Sequence, residues 1–369
     1  MPQDPAIALV QRYIKGDLSR RQFLQRSGAA AAAVGLAPFL SRVAKAAEEL
    51  VWIQFEGISD PAFLTAFTDA TIKSQGLVSE AAVAGQIAGG QIQADVSIVS
   101  QGYAQNYWYP LDVLEPLKTD DLPHWGDLFP YWQKAPFYWN NDQLMAVPNV
   151  WGSDSVIHNT EVVPTVDSVA ILFDKELSGK IAMPKNGVES VAITAQYLGF
   201  ENPFNPTEAE LAEIKKTLLE QKPLVRTYWE SIGDLVNLFT SGEVAVAYGW
   251  ISVFTQVQDA GIPVAWANPK EGQIGWSNGN AVIKFSEHKE LATKFVDFNI
   301  SPEYLKPMFD KIGYRTTSQV FTETLSAEDR AALQLDDPEG LLSSLVPWIT
   351  APPETGRLID DLWAEVVGA

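Results

Sequence analysis

Leu50-Val51-Trp52-Ile53-Gln54-Phe55 is an almost unbroken apolar run, the pattern of a strand buried on both faces. Asp95-Val96-Ser97-Ile98-Val99-Ser100 repeats it and ends in the small, polar Ser100-Gln101-Gly102. Between them, Phe63, Leu64 and Phe67 share one helical face, which predicts a helix over Pro61 to Thr71. From Tyr103 to Trp151 periodicity fades into aromatic and proline-rich text, which predicts irregular structure packed by its own rings. The second half is more regular. Lys180 to Met183 reads as a strand, and Thr207 with Glu210 forms a capping box before a helix carrying Leu211, Ile214 and Leu218. Ser231 caps a helix with Leu235, Leu238 and Phe239 inward and Gly242 at its end, and Val244 to Trp250 follows as a buried strand. Strands at Pro263–Asn268 and Asn280–Ile283, helices from Glu287 and Pro302, a loop at Gly313-Tyr314-Arg315 and a last helix near Glu354–Val367 complete an α/β order. Strand and helix alternation of this kind places binding loops at strand ends.

The first 46 residues change the picture. Ser19-Arg20-Arg21-Gln22-Phe23-Leu24, the apolar run Ala29 to Leu40 and the A-x-A site Ala44-Lys45-Ala46 predict a twin-arginine signal peptide cleaved after about Ala46. That run is too short to span a bilayer, so the expectation is a protein released into the periplasm. Residues 1–46 hold seven of the 26 Lys and Arg and two of the 46 Asp and Glu, which leaves 19 against 44. A surface so acidic is repelled by nucleic acid and by anionic lipid, which argues against both as partners. Cysteine is absent and the three histidines lie far apart, so neither a disulfide framework nor a metal or other cofactor is expected. Twelve Trp, 11 Tyr and 17 Phe supply rings enough for a core and for the wall of a ligand cleft.

Several segments taken in order resemble the spermidine/putrescine-binding family of ABC-importer solute-binding proteins. They are Val147-Pro148-Asn149-Val150-Trp151-Gly152 with His158-Asn159-Thr160, Ser178 to Met183, Gln221 to Arg226, Ser241-Gly242-Glu243-Val244, Gly249-Trp250, Asn268 to Gly272 and Ile312-Gly313-Tyr314. Before residue 140 the likeness rests mainly on Asp95–Ser100 and Glu115-Pro116-Leu117. The resemblance implies an α/β, two-lobed periplasmic-binding-protein fold with a hinge of crossing strands and a ligand cleft between the lobes. Residues 47–154 with about 280–369 would form lobe 1, and residues 155–279 lobe 2. It implies a monomer that takes up a small amine or polyamine and delivers it to ABC permease subunits, without catalysis.

Carried over by position, Trp250 and Trp276 match aromatic walls, and Glu189, after Asn186-Gly187, matches a carboxylate that holds an amine. Rings cover the methylenes and acids hold the ammonium groups of such a ligand. Trp151, Ser100 and Tyr103 lie at strand ends able to reach a cleft, and Ser231 stands at a helix start where capping is its commoner use. Asn278 departs from the family, which usually has an Asp two residues after the second wall Trp. An uncharged amide weakens a cation contact there, so a monoamine, an amino acid derivative or another small cation is an alternative ligand. Phe55-Glu56-Gly57-Ile58 likewise keeps little of the family's aromatic and acidic cluster.

Two rivals come from other classes. Gly275-Trp276-Ser277-Asn278-Gly279 fits the G-x-S-x-G elbow of a secreted serine hydrolase. Only His288 follows it as a base, and a strand rather than a helix is expected next. The other rival is an exported assembly protein that uses the rings from Tyr103 to Trp139 as a partner surface.

Overall fold

The computed structural model describes residues 48–368 except Glu56 and Val78, with Leu9, Arg12, Tyr13, Asp17, Leu18 and Gln22 as isolated positions before them. The paired arginines, the apolar run and the cleavage site of the expected leader lie outside the described residues, as does Glu56. The strands are β1 (Glu48–Gln54), β2 (Ala70–Gly76), β3 (Val96–Ser100), β4 (Trp139–Asn140), β5 (Gln143–Leu144), β6 (Val147–Asn159), β7 (Ile181–Pro184), β8 (Val225–Trp229), β9 (Val246–Trp250), β10 (Val264–Trp266), β11 (Ile274–Val282), β12 (Arg315–Thr316) and β13 (Val346–Pro347). The longer helices are α1 (Glu80–Ala88), α2 (Gly187–Leu198), α3 (Glu208–Gln221), α4 (Ile232–Thr240), α5 (Ile251–Asp259), α6 (Lys289–Phe298), α7 (Pro302–Ile312), α8 (Pro338–Ser344) and α9 (Pro353–Gly368). Among the described residues no helix is long and apolar enough to cross a membrane.

The chain divides into two compact units, Met1–Trp151 with Ser277–Ala332, and Gly152–Trp276 with Leu333–Ala369. In the first unit β2, β1 and β3 run parallel, and β3 pairs antiparallel with the end of β11. Its core is aromatic: Trp52 meets the edge of Phe295 at 5.1 Å, and Phe63 meets Tyr304 at 6.1 Å. Burying Trp52 requires a partner for its indole N–H, which donates to Asn280 Oδ1 at 2.9 Å. Asp95 accepts the Val51 N–H at 2.8 Å and the Ser286 hydroxyl at 2.5 Å, which fastens the ends of this sheet.

In the second unit the strands run β10-β6-β9-β7-β8, with β6 antiparallel to β9 and β7 parallel to both β8 and β9. Val156, Ile181, Met183, Val246 and Tyr248 bury one core against Ala192 and Ile193 of α2. A second core lies on the Val191–Ala195 stripe of α2, covered by Leu211, Ile214 and Leu218 of α3 and by Ile359, Leu362 and Val366 of α9. The expected capping box of α3 forms, with Thr207 and Glu210 bonded reciprocally.

Four expectations differ from the structure. Pro61–Leu64 makes only a short 3-10 turn capped by Asp60, because residues 70–76 form a parallel ladder along the whole of β1 instead of continuing a helix. Val147–Trp151, expected to be irregular, opens the 13-residue strand β6. Arg315 lies in β12, paired with Trp151 of β6, rather than in a loop. Finally, residues 333–369 belong to the second unit, not to lobe 1, because α9 buries its apolar stripe on α2 and α3. The stretch from Tyr103 does pack by its own rings, with Trp125 and Trp139 at 6.2 Å and Trp132 and Trp151 at 6.1 Å. Within it Asn141 and Asp142, at φ 49° and 60°, close the β4–β5 hairpin through the left-handed turn that such short loops favour.

Candidate functional site

In the second unit the parallel strands β7 and β9 end side by side in sequence-encoded turns. Asn186 caps α2 by accepting the Val188 N–H at 3.0 Å, which sets Glu189 in the first helical turn. Trp250 ends β9, and its register partner on β6 is Asp154. Glu189 is buried, with the side chains of Trp250 and Asp154 near its carboxyl. Asp154, also buried, accepts the Trp276 indole N–H on Oδ1 at 3.0 Å.

The rings are held from behind. Trp229 packs edge-on to Trp250 at 5.0 Å and is itself fixed by a 3.0 Å bond from its indole N–H to the Tyr248 carbonyl. Trp276 lies flat on residue 152, where an added Cβ would fall 2.3 Å from the ring, so only glycine admits it. Trp250 and Trp276 both remain half-buried, with part of each ring exposed. Burial pushes the Glu189 carboxyl up to about 7, partly offset by the neighbouring Trp250 and Asp154 side chains.

The first unit carries the other expected residues. Asn278 and Ser100 are register partners on β11 and β3, and both are largely buried. The Ser100 N–H donates to Glu80 Oε1 at 2.8 Å, and the Trp108 indole donates to the same oxygen at 2.6 Å. Desolvation raises Glu80 to about 7 despite those bonds. Tyr103 is half-buried, its ring 5.4 Å from Tyr107, and burial with the nearby Glu80 carboxyl raises its phenol.

Two expected residues have other work. Trp151 is wholly buried, donates to the Thr316 carbonyl at 2.9 Å and lies under the Arg315 guanidinium at 4.8 Å, which makes it core of the first unit. Ser231 is an exposed cap that accepts the Asp234 N–H at 3.1 Å. Ser277 lies inside β11, not on a strand-to-helix elbow, and its hydroxyl donates to Gln101 Oε1 at 2.6 Å while Tyr138 bonds it at 2.7 Å. Neither of these partners is a base. His288 instead donates its backbone N–H to the Ser286 hydroxyl at 3.0 Å. Asp154, Trp229 and Glu80 were not expected, and among the described residues no group of three His, Cys, Asp or Glu gathers as for a metal.

The architecture is similar to that of a spermidine/putrescine ABC transporter substrate-binding protein from Streptococcus pneumoniae, with a TM-score of 0.74 and 19% identity over 87% of this chain and 99% of that one. The fold is therefore of the periplasmic-binding-protein class. The sequence matches the family described as bacterial extracellular solute-binding protein over residues 64–334, and the chain belongs to that family. It is 28% identical to the spermidine/putrescine-binding periplasmic protein of Escherichia coli over 58% of this chain and 61% of the relative, so the match spans about three fifths of that relative's length. It is 24% identical to the putrescine/agmatine-binding protein of Pseudomonas aeruginosa over 69% of this chain and 73% of that protein.

Proposed function

We propose that this protein is the non-catalytic, monomeric solute-binding component of an ABC importer, exported by a twin-arginine leader spanning residues 1–46, that captures a small amine or polyamine in the periplasm and hands it to membrane permease subunits. The observation that carries the reading is two buried acids, Glu189 and Asp154, beside half-buried indoles: Asp154 accepts the Trp276 indole N–H and is the register partner of Trp250. An ammonium group needs a carboxylate when it leaves water, and the methylenes beside it gain from flat apolar rings. Relatives named for spermidine, putrescine and agmatine support the amine class. Ser100, Tyr103 and Asn278 are the neutral polar candidates of the first unit. Asn278, which brings no charge, favours a ligand with fewer ammonium groups than spermidine as the second reading.

The test is a melting-temperature panel on the exported protein with putrescine, spermidine, agmatine, choline and amino acids. Ligand at 100 times its Kd should stabilise the fold by about 2.7 kcal/mol. Glu189→Gln should weaken the amine that binds by about 1.5–3 kcal/mol. Silence across the panel, or unchanged affinity in Glu189→Gln, removes the proposed site. Fractionation and amino-terminal sequencing of the mature protein test export and cleavage after Ala46.

A further inference from the structure

We propose that Glu80 is a positioning residue for the polar candidates of the first unit: its carboxyl fastens the Ser100 end of β3 to the turn around Trp108 and so fixes how Ser100 and Asn278 are presented to a ligand. The inference rests on the amine-binding reading above and goes further, in naming a residue that acts through others without touching the ligand. Glu80 opens α1, and a Glu in a first helical turn ordinarily serves the helix from the surface, where it faces the positive end of the helix dipole. This one is turned inward and is only 3% exposed. The cap of α1 does not require it, because the Ser79 hydroxyl already accepts the Ala82 N–H at 3.3 Å. Burying a carboxyl is costly without compensating hydrogen bonds.

Those bonds run to the far end of β3. β1 pairs only with Val96 and Ser97 of that strand, so the Ser100 N–H lies beyond the last β1 partner. Glu80 Oε1 stands in for a strand carbonyl there and accepts it at 2.8 Å. The same oxygen accepts the Trp108 indole N–H at 2.6 Å, so one atom closes residues 101–107 at both ends. Tyr103 lies within that closed segment, and Asn278 is held opposite Ser100 by register. The other carboxyl oxygen, Oε2, is enclosed and meets no hydrogen-bond partner among the described residues. This division suits a neutral acid whose carbonyl accepts both bonds, and burial accordingly raises the carboxyl to about 7. Glutamine copies that form, with its amide oxygen accepting the two N–H groups and its nitrogen in the place of Oε2. Alanine offers neither.

Putrescine titrations and NMR near about pH 6, below the Glu80 transition, test this on the whole exported protein. Glu80→Gln should keep the affinity within about twofold, whereas Glu80→Ala should weaken it about tenfold or more, the scale of one buried N–H left unpaired. The Ser100 amide and Trp108 indole resonances should stay in place in Glu80→Gln and move together in Glu80→Ala. Should Glu80→Ala not fold, Glu80→Asp, too short to reach both donors, replaces it with the same expectation. Trp108→Phe separates positioning from stability, because it removes one donor and leaves the Ser100 bond. It should lower the melting temperature as Glu80→Ala does, yet bind putrescine within about twofold of the unaltered protein. Unchanged affinity in Glu80→Ala at a lower melting temperature makes Glu80 structural only, and equal affinity losses in Trp108→Phe and Glu80→Ala show that affinity follows stability. Either result overturns the inference and leaves the amine reading standing. If the unaltered protein binds no putrescine, the amine reading fails instead, and the two resonances alone decide whether Glu80 fastens the turn.

Discussion

At position 152 a methyl group has nowhere to go, because the Trp276 ring occupies the space. Gly152→Ala should tilt that ring away and lengthen its bond to Asp154, so amine affinity is expected to fall about tenfold or more while the melting temperature moves only a few degrees. Equal losses in both would show that Trp276 is core. Ser277 makes the contrasting case. Its hydroxyl joins Tyr138 to Gln101 inside the first unit, and Ser277→Ala should cost about 1–3 kcal/mol in chemical denaturation, with no esterase turnover to lose. Glu189, Trp250 and Trp276 were legible from the sequence because their neighbours resemble a family. Asp154 was not, since one acid in a strand looks like any solvent-facing residue until the register opposite Trp250 is known. Trp151 misled for the reverse reason: a strand-end Trp suits a cleft wall, but Arg315 on β12 covers it.

Helix α9 shows what an element contributes that its own sequence half reveals. The apolar stripe Leu358, Leu362, Trp363 and Val366 was readable, but its destination was not, because a stripe specifies burial and not a partner. It seats on α2 and α3, with the Trp363 indole N–H donating to the Lys185 carbonyl at 2.9 Å beside the start of α2. Ile359→Ala, at a side chain with no exposed surface, should therefore cost about 2–5 kcal/mol, and the loss should appear in the unfolding of the second unit. A loss seen only in the first unit would contradict the packing. The regular helices α3, α4, α6 and α7 were clear because caps and apolar spacing agree. The Pro61 stretch was not, because Phe63, Leu64 and Phe67 fit a helical face although their burial comes from a turn and from rings such as Phe295. Long-range pairing, as between β1 and β2, outweighs local preference in such a segment.

Across the whole molecule each unit buries one carboxyl raised to about 7, Glu80 in the first and Glu189 in the second. In the unfolded chain both return to the ordinary Glu range near about 4.3. Below that range folded and unfolded states are both protonated and the full contribution is present. As pH rises toward 7 the folded protein holds protons that the unfolded chain has released, so each group withdraws stability at up to about 1.4 kcal/mol per pH unit, and the withdrawal ends above 7. Carboxylates held low, such as Asp60 beside Lys311 and Glu210 at its helix cap, act in the opposite direction, because their contribution is lost as pH falls. Wild-type curves mix the two, and differences between proteins separate them. Glu80→Gln should flatten the slope between pH 5 and 7 in the first unit's transition, and Glu189→Gln should do so in the second. A saturating amine should reproduce the second effect without any mutation, since a bound cation lowers the Glu189 carboxyl toward its unfolded value. Denaturation midpoints measured from pH 5 to 8 check all three, and slopes unchanged by either substitution would mean that neither carboxyl carries its proton in the folded protein.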